Sequence, residues 1–336
     1  GISYSIPFLV EASERNIPIV TEVEIAHLLS EAPIYALTGT NGKTTCTHLL
    51  GEMLENGGSH PILCGNIGYP ATDAAMEATP DDTLVMELSS FQLLGTETFR
   101  PNIAVITNIY EAHLDYHGSK EEYKKAKLRI FENMTADDLL IFNNNQKELL
   151  EGQDISCQVQ YFDIKNKADA YSDGEYLIVH DEKIMPIDEL VLKGNHNIEN
   201  ILVTLLVAKA HGVSGEAIIK TLQSFGGIPH RLERLGTVND VTYYNDSKAT
   251  NNLATSFGLQ SFTTPVIWIA GGLDRGQSLE DLKPFTAHVK EIITFGETQR
   301  KFVELANELG IQVETTINPN SAIALAQAHA VAGDTV

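Results

Sequence analysis

Seven consecutive residues of this chain offer the donors that bind a phosphate group. The run Gly39-Thr40-Asn41-Gly42-Lys43-Thr44-Thr45 follows a β-favouring segment and precedes a helical pattern through Leu54. In such a strand–loop–helix unit, backbone N–H groups and the positive end of the helix dipole face an anion. Lys43 can reach the outer phosphates of a nucleotide, and the Thr44 hydroxyl can ligate Mg²⁺. The run therefore predicts a nucleotide site, with an ordinary strand–turn–helix as the alternative. The loop is short, because only two residues separate its glycines, fewer than in the usual P-loop pattern.

Three further residues have side chains that could serve such a site. Glu87 ends an apolar run, and a carboxylate at the carboxyl end of a parallel strand can supply a second oxygen ligand to Mg²⁺. His113 stands in a loop after the next run, where the pattern alone is more typical of an exposed or packing histidine. Lys127 falls on the apolar stripe of a predicted helix, where burial would lower its pKa and free a nucleophilic amine. The alternative for Lys127 is a buried stem with its ammonium in water, and the pattern does not separate the two.

A cation recurs at predicted strand ends in the last third of the chain. The runs are 229–231, 244–251 and 271–276, and they contain Arg231, Lys248 and Arg275. If these strands share a sheet, the three cations converge at its top and form a receptor for carboxylate and phosphate groups.

Apolar runs alternate with helical patterns, which predicts an α/β fold with a parallel sheet. Nearly unbroken aliphatic runs are typical of parallel strands that are buried on both faces. The strand before the glycine loop begins at residue 34, and further strands are predicted at 61–64, 83–88, 103–107 and 139–143. Helices are predicted at 43–54, 71–78, 120–133, 197–210 and 214–225. Residues 155–192 alternate in short segments with turns and predict a small antiparallel layer.

Three regions are expected along the chain. Residues 1–20, with a helix at 8–15 and a strand at 17–20, are too few for a core and are predicted to be the tail of a larger N-terminal domain. Residues 21–227 form a central ATP-binding domain that ends at a Gly-Gly-Ile-Pro hinge. Residues 228–336 form a Rossmann-like domain with strands at 241–245, 266–271, 291–296 and 311–313, which stops where a further strand is expected.

The composition limits the class of protein. The chain has 336 residues, of which 43% are hydrophobic and 20% charged, as in ordinary globular proteins. Its formal net charge of −22 argues against a nucleic-acid partner. Three scattered cysteines suit a reducing cytoplasm, and no apolar run or signal peptide predicts a membrane. We therefore expect a cytoplasmic protein without nucleic-acid or membrane partners.

Taken together, these motifs resemble those of the Mur ligases. The resemblance covers residues 1–336, although the family is longer at both ends. The motifs that carry it are Gly-Thr-Asn-Gly-Lys-Thr-Thr at 39–45, Gly-Asn-Ile-Gly at 65–68, Glu-Leu-Ser-Ser-Phe-Gln at 87–92, the loop 108–113, Lys-Leu-Arg at 127–129, His196-Asn197 with Asn200, Pro-His-Arg at 229–231 and Asn-Asp-Ser-Lys-Ala-Thr at 245–250. The runs at 87–92 and 245–250 are typical of the members that add D-glutamate.

The resemblance implies an ATP-dependent ligase of peptidoglycan synthesis, on which cell-wall biogenesis, cell division and cell shape depend. ATP phosphorylates the carboxylate of UDP-MurNAc-L-Ala, and D-glutamate attacks the acyl phosphate. Thr44 and Glu87 would hold one Mg²⁺, while His113 and Lys127, as a carbamate formed with CO₂, would serve a second. Lys43 would stabilise the transferring phosphoryl group. The protein is expected to be a monomer.

The same resemblance implies roles for residues in both halves of the chain. Asn66, Ser89 and Gln92 would contact the muramoyl substrate, and Asn197, Asn200, Arg231 and Asp246 would bind ATP along with residues 39–45. Lys248 and Thr250 would lie toward the glutamate. Arg275 is a further candidate there, in a loop that varies within the family.

The residues leave three alternative functions open. Asp115-Tyr116-His117-Gly118 and Asn166-Lys167-Ala168-Asp169 match the patterns of a GTPase switch, although the glycine loop is too short and residues beyond 227 would be unexplained. Another Mur-type ligase or a folylpolyglutamate synthase would share the fold and the acyl-phosphate chemistry.

Overall fold

A nine-stranded sheet forms the centre of the first of two structural units. The computed structural model describes residues 4, 6–110, 114–274 and 276–336. The units are Gly1–Phe225 and Gly226–Val336, so the boundary lies two residues before the predicted one. In the first unit the strands are β1 (Ile34–Thr38), β2 (His60–Gly65), β3 (Asp82–Glu87), β4 (Ile103–Ile106), β5 (Leu139–Asn143), β6 (Gln158–Asp163), β7 (Ala170–Ser172), β8 (Tyr176–Val179) and β9 (Glu182–Pro186).

The order of these strands brings the predicted site residues to one edge. The sheet runs β2-β3-β1-β4-β5-β6-β7-β8-β9, and the pairs from β2 to β7 are parallel. The glycine loop follows β1, which lies between β3 and β4, so Glu87 ends one neighbouring strand and residues 107–110 follow the other. The carboxyl edge of the parallel part is therefore where the site is assembled.

Helices cover both faces of this sheet. Alternate residues of a strand point to opposite faces, and Ala36, Met86 and Ala104 lie in one core cluster with residues of α2, α4 and α7. On the other face, α3 lies against the sheet and against α8. The helices are α1 (Pro7–Glu14), α2 (Glu22–Leu29), α3 (Lys43–Asn56), α4 (Ala71–Glu77), α5 (Ser90–Leu93), α6 (Leu114–His117), α7 (Lys120–Leu128), α8 (Asn195–His211) and α9 (Gly215–Ser224).

The second unit contains a hairpin and a three-stranded parallel sheet. Its elements are β10 (Glu233–Val238), β11 (Val241–Asn245), α10 (Asn252–Gln260), β12 (Val266–Gly272), β13 (Val289–Gly296), α11 (Gln299–Leu309), β14 (Gln312–Thr315) and α12 (Pro319–His329). β10 and β11 are antiparallel, whereas β12, β13 and β14 are parallel. Thr335 bridges to Thr242 of β11 and to Val266 of β12, so strand pairing resumes where the sequence predicts another strand.

The α/β prediction is confirmed, and most predicted elements are present within a few residues. Two predicted elements in the first unit differ from the structure. Residues 17–20 form no strand, because no neighbour pairs with them, and Ile19 and Val20 line a cavity instead. The helix predicted at 120–133 is α-helical only to Leu128 and tightens into a 3₁₀ turn, Arg129–Phe131, that buries Ile130 and Phe131.

Residues 155–192 do not form a separate antiparallel layer. β6 pairs in parallel with β5 and extends the central sheet, because the connection after β5 is long enough for a crossover. Within this region, the antiparallel pairs are β7 with β8 and β8 with β9. Strand β10 was missed, although the Asn239-Asp240 turn, with both φ values positive (52° and 61°), is a recognisable hairpin signal.

A buried carboxylate fixes α2 to the loop after α5. Glu24 is 3% exposed, and its side-chain oxygens accept hydrogen bonds from the backbone N–H groups of Glu97 (2.8 Å), Thr98 (2.8 Å) and Phe99 (3.1 Å), as well as from the Thr98 hydroxyl. Burial alone would raise the pKa of Glu24, but these hydrogen bonds outweigh it and lower the pKa.

Replacing this carboxylate should destabilise the first unit. We expect Glu24→Ala to lower the free energy of unfolding by about 3 kcal/mol, because three N–H groups, of which that of Phe99 is buried, lose their acceptor. The native pKa of Glu24 is lowered, so its stabilisation is complete above the unfolded value of about 4.3 and is lost as the pH falls through the native value. Urea unfolding at several pH values should show the difference shrinking in acid. Glu31→Ala, at an exposed position, is the control, and equal stability of the two variants would contradict the prediction.

Candidate active site

The glycine loop has a backbone that only glycine can adopt at two positions. Gly39 and Gly42 have φ values of +152° and +84°, in the region that disfavours side chains. A Cβ atom would lie 1.9 Å from Thr107 Oγ1 at Gly39, and 2.2 Å from Asn200 Oδ1 at Gly42. The loop is thus held tightly between the end of β4 and helix α8.

Two N–H groups of the loop are used within the protein. Thr40 N donates to Asn108 O (2.8 Å), and Asn41 N donates to Asn108 Oδ1 (2.9 Å). Thr107 Oγ1 donates to Asn41 O (2.6 Å). The first turn of α3, which starts at Lys43 and whose first N–H groups have no intrahelical acceptor, can therefore supply donors for a phosphate. Thr40 and Asn41, predicted as nucleotide contacts, thus brace the loop.

Lys43 already lies on the loop, where it can meet an anion. Its Nζ donates to Gly39 O (2.9 Å) and Thr40 O (3.1 Å). Thr44 follows it in the first turn of α3 and is half-buried. An ammonium and a hydroxyl are thereby offered together at a helix N-terminus, as binding of a phosphate with its metal requires.

Glu87 presents a buried carboxylate oxygen beside the loop. The residue is 2% exposed, and its Oε1 accepts a hydrogen bond from Asn66 Nδ2 (2.8 Å). Its Oε2 is buried and has no hydrogen-bond partner among the residues that the structure describes. An orphaned carboxylate oxygen is costly unless a cation compensates it, so this residue fits a Mg²⁺ ligand.

Lys127 is buried and points at the glycine loop. It is 1% exposed, and its Nζ donates to Gly39 O (2.7 Å) and Thr38 Oγ1 (3.3 Å) and lies 4.8 Å from the centre of the Tyr123 ring. Burial lowers the pKa of Lys127 well below that of a free lysine, the charge of Lys43 lowers it further, and Glu87 opposes the shift. The alternative of an ammonium in water is therefore wrong.

Lys127 differs in this respect from its neighbours on α7. Lys125 is 62% exposed at its side chain and pairs with Glu122. The side chain of Lys124 is only 18% exposed. Lys125 is thus the better reference for experiments on this helix.

The predicted acceptor-binding residues line one cavity of about 710 Å³ in the first unit. Ser89 and Gln92 form a capping box at the start of α5, in which Ser89 Oγ donates to Gln92 Oε1 (2.8 Å). The cavity is polar where Lys43, Asn66, Ser89, Gln92 and Lys127 contribute, and apolar where Ile6, Leu9, Ile19 and Val20 contribute. It can therefore hold a substrate with an anionic end near both lysines.

The two predicted nucleotide-binding asparagines of α8 have different surroundings. Asn197 Nδ2 donates to Lys193 O (2.8 Å) at the start of the helix. Asn200 is 6% exposed, and its Oδ1 accepts from Cys46 Sγ (3.5 Å) and faces Gly42. Asn200 thus packs against the glycine loop from helix α8.

In the second unit, Asp246 is fixed by the segment before β10. Its Oδ1 accepts from Leu232 N (2.9 Å). Burial raises the pKa of Asp246, while that hydrogen bond and the charge of Arg231 oppose the rise. Arg231, Lys248 and Thr250 are exposed. His113 and Arg275 lie outside the described residues.

The GTPase pattern at 166–169 is used inside a turn. Asn166 Nδ2 donates to Asp163 Oδ2 (3.0 Å), and Asp169 Oδ2 accepts from Tyr161 N (2.8 Å). These groups therefore hold the connection from β6 to β7. Residues that the local patterns missed are those that brace the loop: Thr107, Tyr123 and Gln146, together with Asn108, which appeared only within a motif.

The described part of the chain holds neither a group of three or more candidate metal ligands nor a membrane-spanning helix. No cluster of three or more His, Cys, Asp and Glu side chains there could hold a metal ion, so the fit of Mg²⁺ rests on Glu87. Within the same residues, no helix has the length and apolar character needed to cross a membrane.

A phosphate-binding loop on a parallel sheet, with a buried carboxylate and a buried lysine beside it, defines an enzyme of the nucleotide-dependent phosphoryl-transfer class. Residues 37–208 match the Mur ligase middle domain, and residues 230–336 match the Mur ligase, glutamate ligase domain. The chain belongs to the Mur ligase family.

Relatives and solved structures agree with this membership. The chain is 48% identical to a UDP-N-acetylmuramoylalanine--D-glutamate ligase of Staphylococcus carnosus (strain TM300), over 98% of this chain and 77% of the relative. It is 46% identical to the enzyme of that name from Staphylococcus aureus (strain MSSA476), over 96% and 72%. The chain is also similar to the structure of MurF ligase from Thermotoga maritima in complex with ADP, at 18% identity and a TM-score of 0.69. The match covers 94% of this chain and 78% of the MurF chain. E. coli FolC in complex with ADP has the same TM-score at 16% identity, covering 100% and 95%. These two structures show the shared fold.

Proposed function

We propose that this chain is an ATP-dependent ligase that adds D-glutamate to UDP-N-acetylmuramoyl-L-alanine in peptidoglycan precursor synthesis. The observation that carries the proposal is the 48% identity, over 98% of the chain, to a relative named for this reaction. The site supports it, because a carboxylate acceptor in the cavity would meet the ammonium of Lys43 next to the nucleotide loop. We also propose that the protein acts as a monomer and that it works in the cytoplasm, where ATP and nucleotide-linked sugars occur.

The reaction has two steps. The acceptor carboxylate attacks the γ-phosphorus of ATP, which gives an acyl phosphate and ADP. The amine of D-glutamate then attacks the acyl carbon. The C–O bond to the phosphate breaks, phosphate leaves with the electron pair of that bond, and the amine loses a proton as the amide forms. Lys43 and the N–H groups of α3 bind the phosphates and stabilise the charge on the transferring phosphoryl group. Asn66, Ser89 and Gln92 orient the acceptor, so that the first step is effectively intramolecular.

Mg²⁺ fits this site, because Glu87 Oε2 is buried without a partner and Thr44 lies at the start of α3. Thr44 and Glu87 would hold one ion, and His113 with a modified Lys127 would hold a second. When bound, the ions neutralise negative charge that gathers between the phosphoryl group and the acceptor.

Lys127 would be modified as a carbamate. Its neutral amine forms an N–C bond to CO₂ and releases one proton to solvent, which converts a neutral amine into an anion with two oxygen atoms. The lowered pKa supports this step, because only the neutral amine is nucleophilic. Asn197, Asn200, Arg231 and Asp246 would serve ATP, and Lys248, Thr250 and Arg275 would serve D-glutamate.

Phosphate release with ATP and a panel of substrates tests the proposal. We expect release only when UDP-MurNAc-L-Ala is present, and faster with D-glutamate than with L-glutamate, lysine or a folate acceptor. Activity with a different amine would assign the chain to another Mur-type reaction. Hydrolysis of GTP without an acceptor, at a rate equal to that of ATP, would contradict the proposal.

A further inference from the structure

Beyond Ile106, side chains replace the main-chain pairing of β4 with β5. The last paired residues are Ile106 and Phe142. Asn143 Nδ2 then donates to Thr107 O (3.3 Å). Gln146 binds the main chain of Ile109 on both sides: its Oε1 accepts from Ile109 N (2.8 Å), and its Nε2 donates to Ile109 O (3.0 Å). The carboxamide of Gln146 thus takes the place of a peptide group in a sheet ladder.

The backbone at Gln146 departs from the helix around it. The residue lies within the 3₁₀ segment Asn144–Leu150 but has φ and ψ values of −128° and 18°. Ile109, its partner, is 4% exposed. Gln146 itself is half-buried, so the two hydrogen bonds are partly shielded from water, and the loss of either weakens the pairing of a main-chain group at a buried residue.

The segment that Gln146 holds is the one that braces the glycine loop. Asn108 accepts hydrogen bonds from the N–H groups of Thr40 and Asn41. On the far side of Ile109, Tyr110 N donates to Thr40 Oγ1 (2.9 Å), and Thr40 Oγ1 donates back to Tyr110 O (3.2 Å). Ile109 is thus the fixed point between two contacts to the loop.

We propose that Gln146 is a positioning residue for the phosphate-binding loop. Its carboxamide fixes Ile109, and this keeps Asn108 and Tyr110 against Thr40 and Asn41. The loop is then held in the one conformation that directs the first N–H groups of α3 at a phosphate. The proposal rests on ATP use by the proposed function, but not on the identity of the acceptor or the amine.

Two substitutions separate the parts of this contact. Gln146→Leu removes both hydrogen bonds at similar side-chain size, and Gln146→Glu keeps the acceptor for Ile109 N but removes the donor to Ile109 O. Gln153→Leu, at an exposed position shortly after the same 3₁₀ segment, is the matched control. ATP affinity is measured by calorimetry with Mg²⁺ and without acceptor, together with amide hydrogen exchange and the melting temperature.

We expect Gln146→Leu to weaken ATP binding about tenfold, which corresponds to the loss of one to two partly buried hydrogen bonds. Exchange at the amides of Ile109 and Thr40 should accelerate, Gln146→Glu should share both effects, and Gln153→Leu should show neither. At saturating ATP, the KM for the acceptor should be unchanged.

A lower melting temperature with unchanged ATP affinity would show a merely structural role and overturn the proposal. Unchanged exchange at Thr40 would do the same, because the loop would then be independent of Gln146. If Gln146→Leu does not fold, Gln146→Glu decides alone. The binding assay contains neither acceptor nor amine, so its failure leaves the proposed reaction untouched, and a different substrate preference leaves Gln146 in place.

Discussion

Lys127→Ala is expected to lower turnover by several orders of magnitude while leaving the fold intact. The proposed carbamate would contribute two oxygen atoms and a negative charge where the phosphoryl group is transferred, and alanine provides neither. The side chain is 1% exposed and donates to Gly39 O, so its removal also leaves a small gap beside the loop. A short carboxylic acid such as formate or acetate, which fits that gap, should restore part of the rate.

The measurement is the rate of phosphate release with and without added acid, alongside Lys125→Ala. Lys125 lies on the exposed side of the same helix and should be nearly silent when replaced. Equally mild effects of the two substitutions would contradict the carbamate. A high-resolution map that shows an unmodified amine at Lys127 with Mg²⁺ and nucleotide bound would contradict it directly.

Glu87→Gln should separate activity from stability. We expect turnover to fall about 10³-fold, because the amide retains the shape of the side chain but not its charge toward the metal. Without metal, the free energy of unfolding should rise, since the substitution replaces a buried charged oxygen that has no hydrogen-bond partner among the described residues by a neutral amide group, whose burial costs less. The loss of activity and the gain of stability have the same cause.

Thermal unfolding with increasing Mg²⁺ and ATP provides the test. Ligands that bind the native state raise its stability, so the wild-type melting temperature should rise with Mg²⁺ far more than that of Glu87→Gln. Glu55→Gln, an exposed carboxylate on α3, should respond like the wild type. A variant that loses stability but keeps its rate would show that Glu87 is structural and not a ligand.

Local patterns predicted the centre of the site well. The glycine loop, the strand that ends at Glu87 and the place of Lys127 on an apolar helix stripe each follow from a few adjacent residues, because strand and helix periodicity report which side faces the core. The same patterns could not decide between a buried and a solvated ammonium at Lys127. That depended on Gly39 O, far away in the sequence.

The parts that were missed depend on contacts between distant segments. Gln146 has no motif, and its proposed role follows only from the main chain of Ile109, in the loop after the neighbouring strand β4. Likewise, the pattern of residues 155–192 indicated short strands, but their pairing with β5 depends on the length of a crossover. Side-chain periodicity carries no information about which strand lies next to which.

The internal use of Thr40 N and Asn41 N has a consequence for inhibitor selectivity. A compound designed for a longer P-loop presents acceptors to a full ring of backbone amides. In this chain two of those amides already donate to Asn108, so such a compound would bury unpaired acceptors and lose affinity. A ligand that places its anion on the first turn of α3 and beside Lys43, and asks nothing of Thr40 and Asn41, would discriminate against ordinary P-loop proteins.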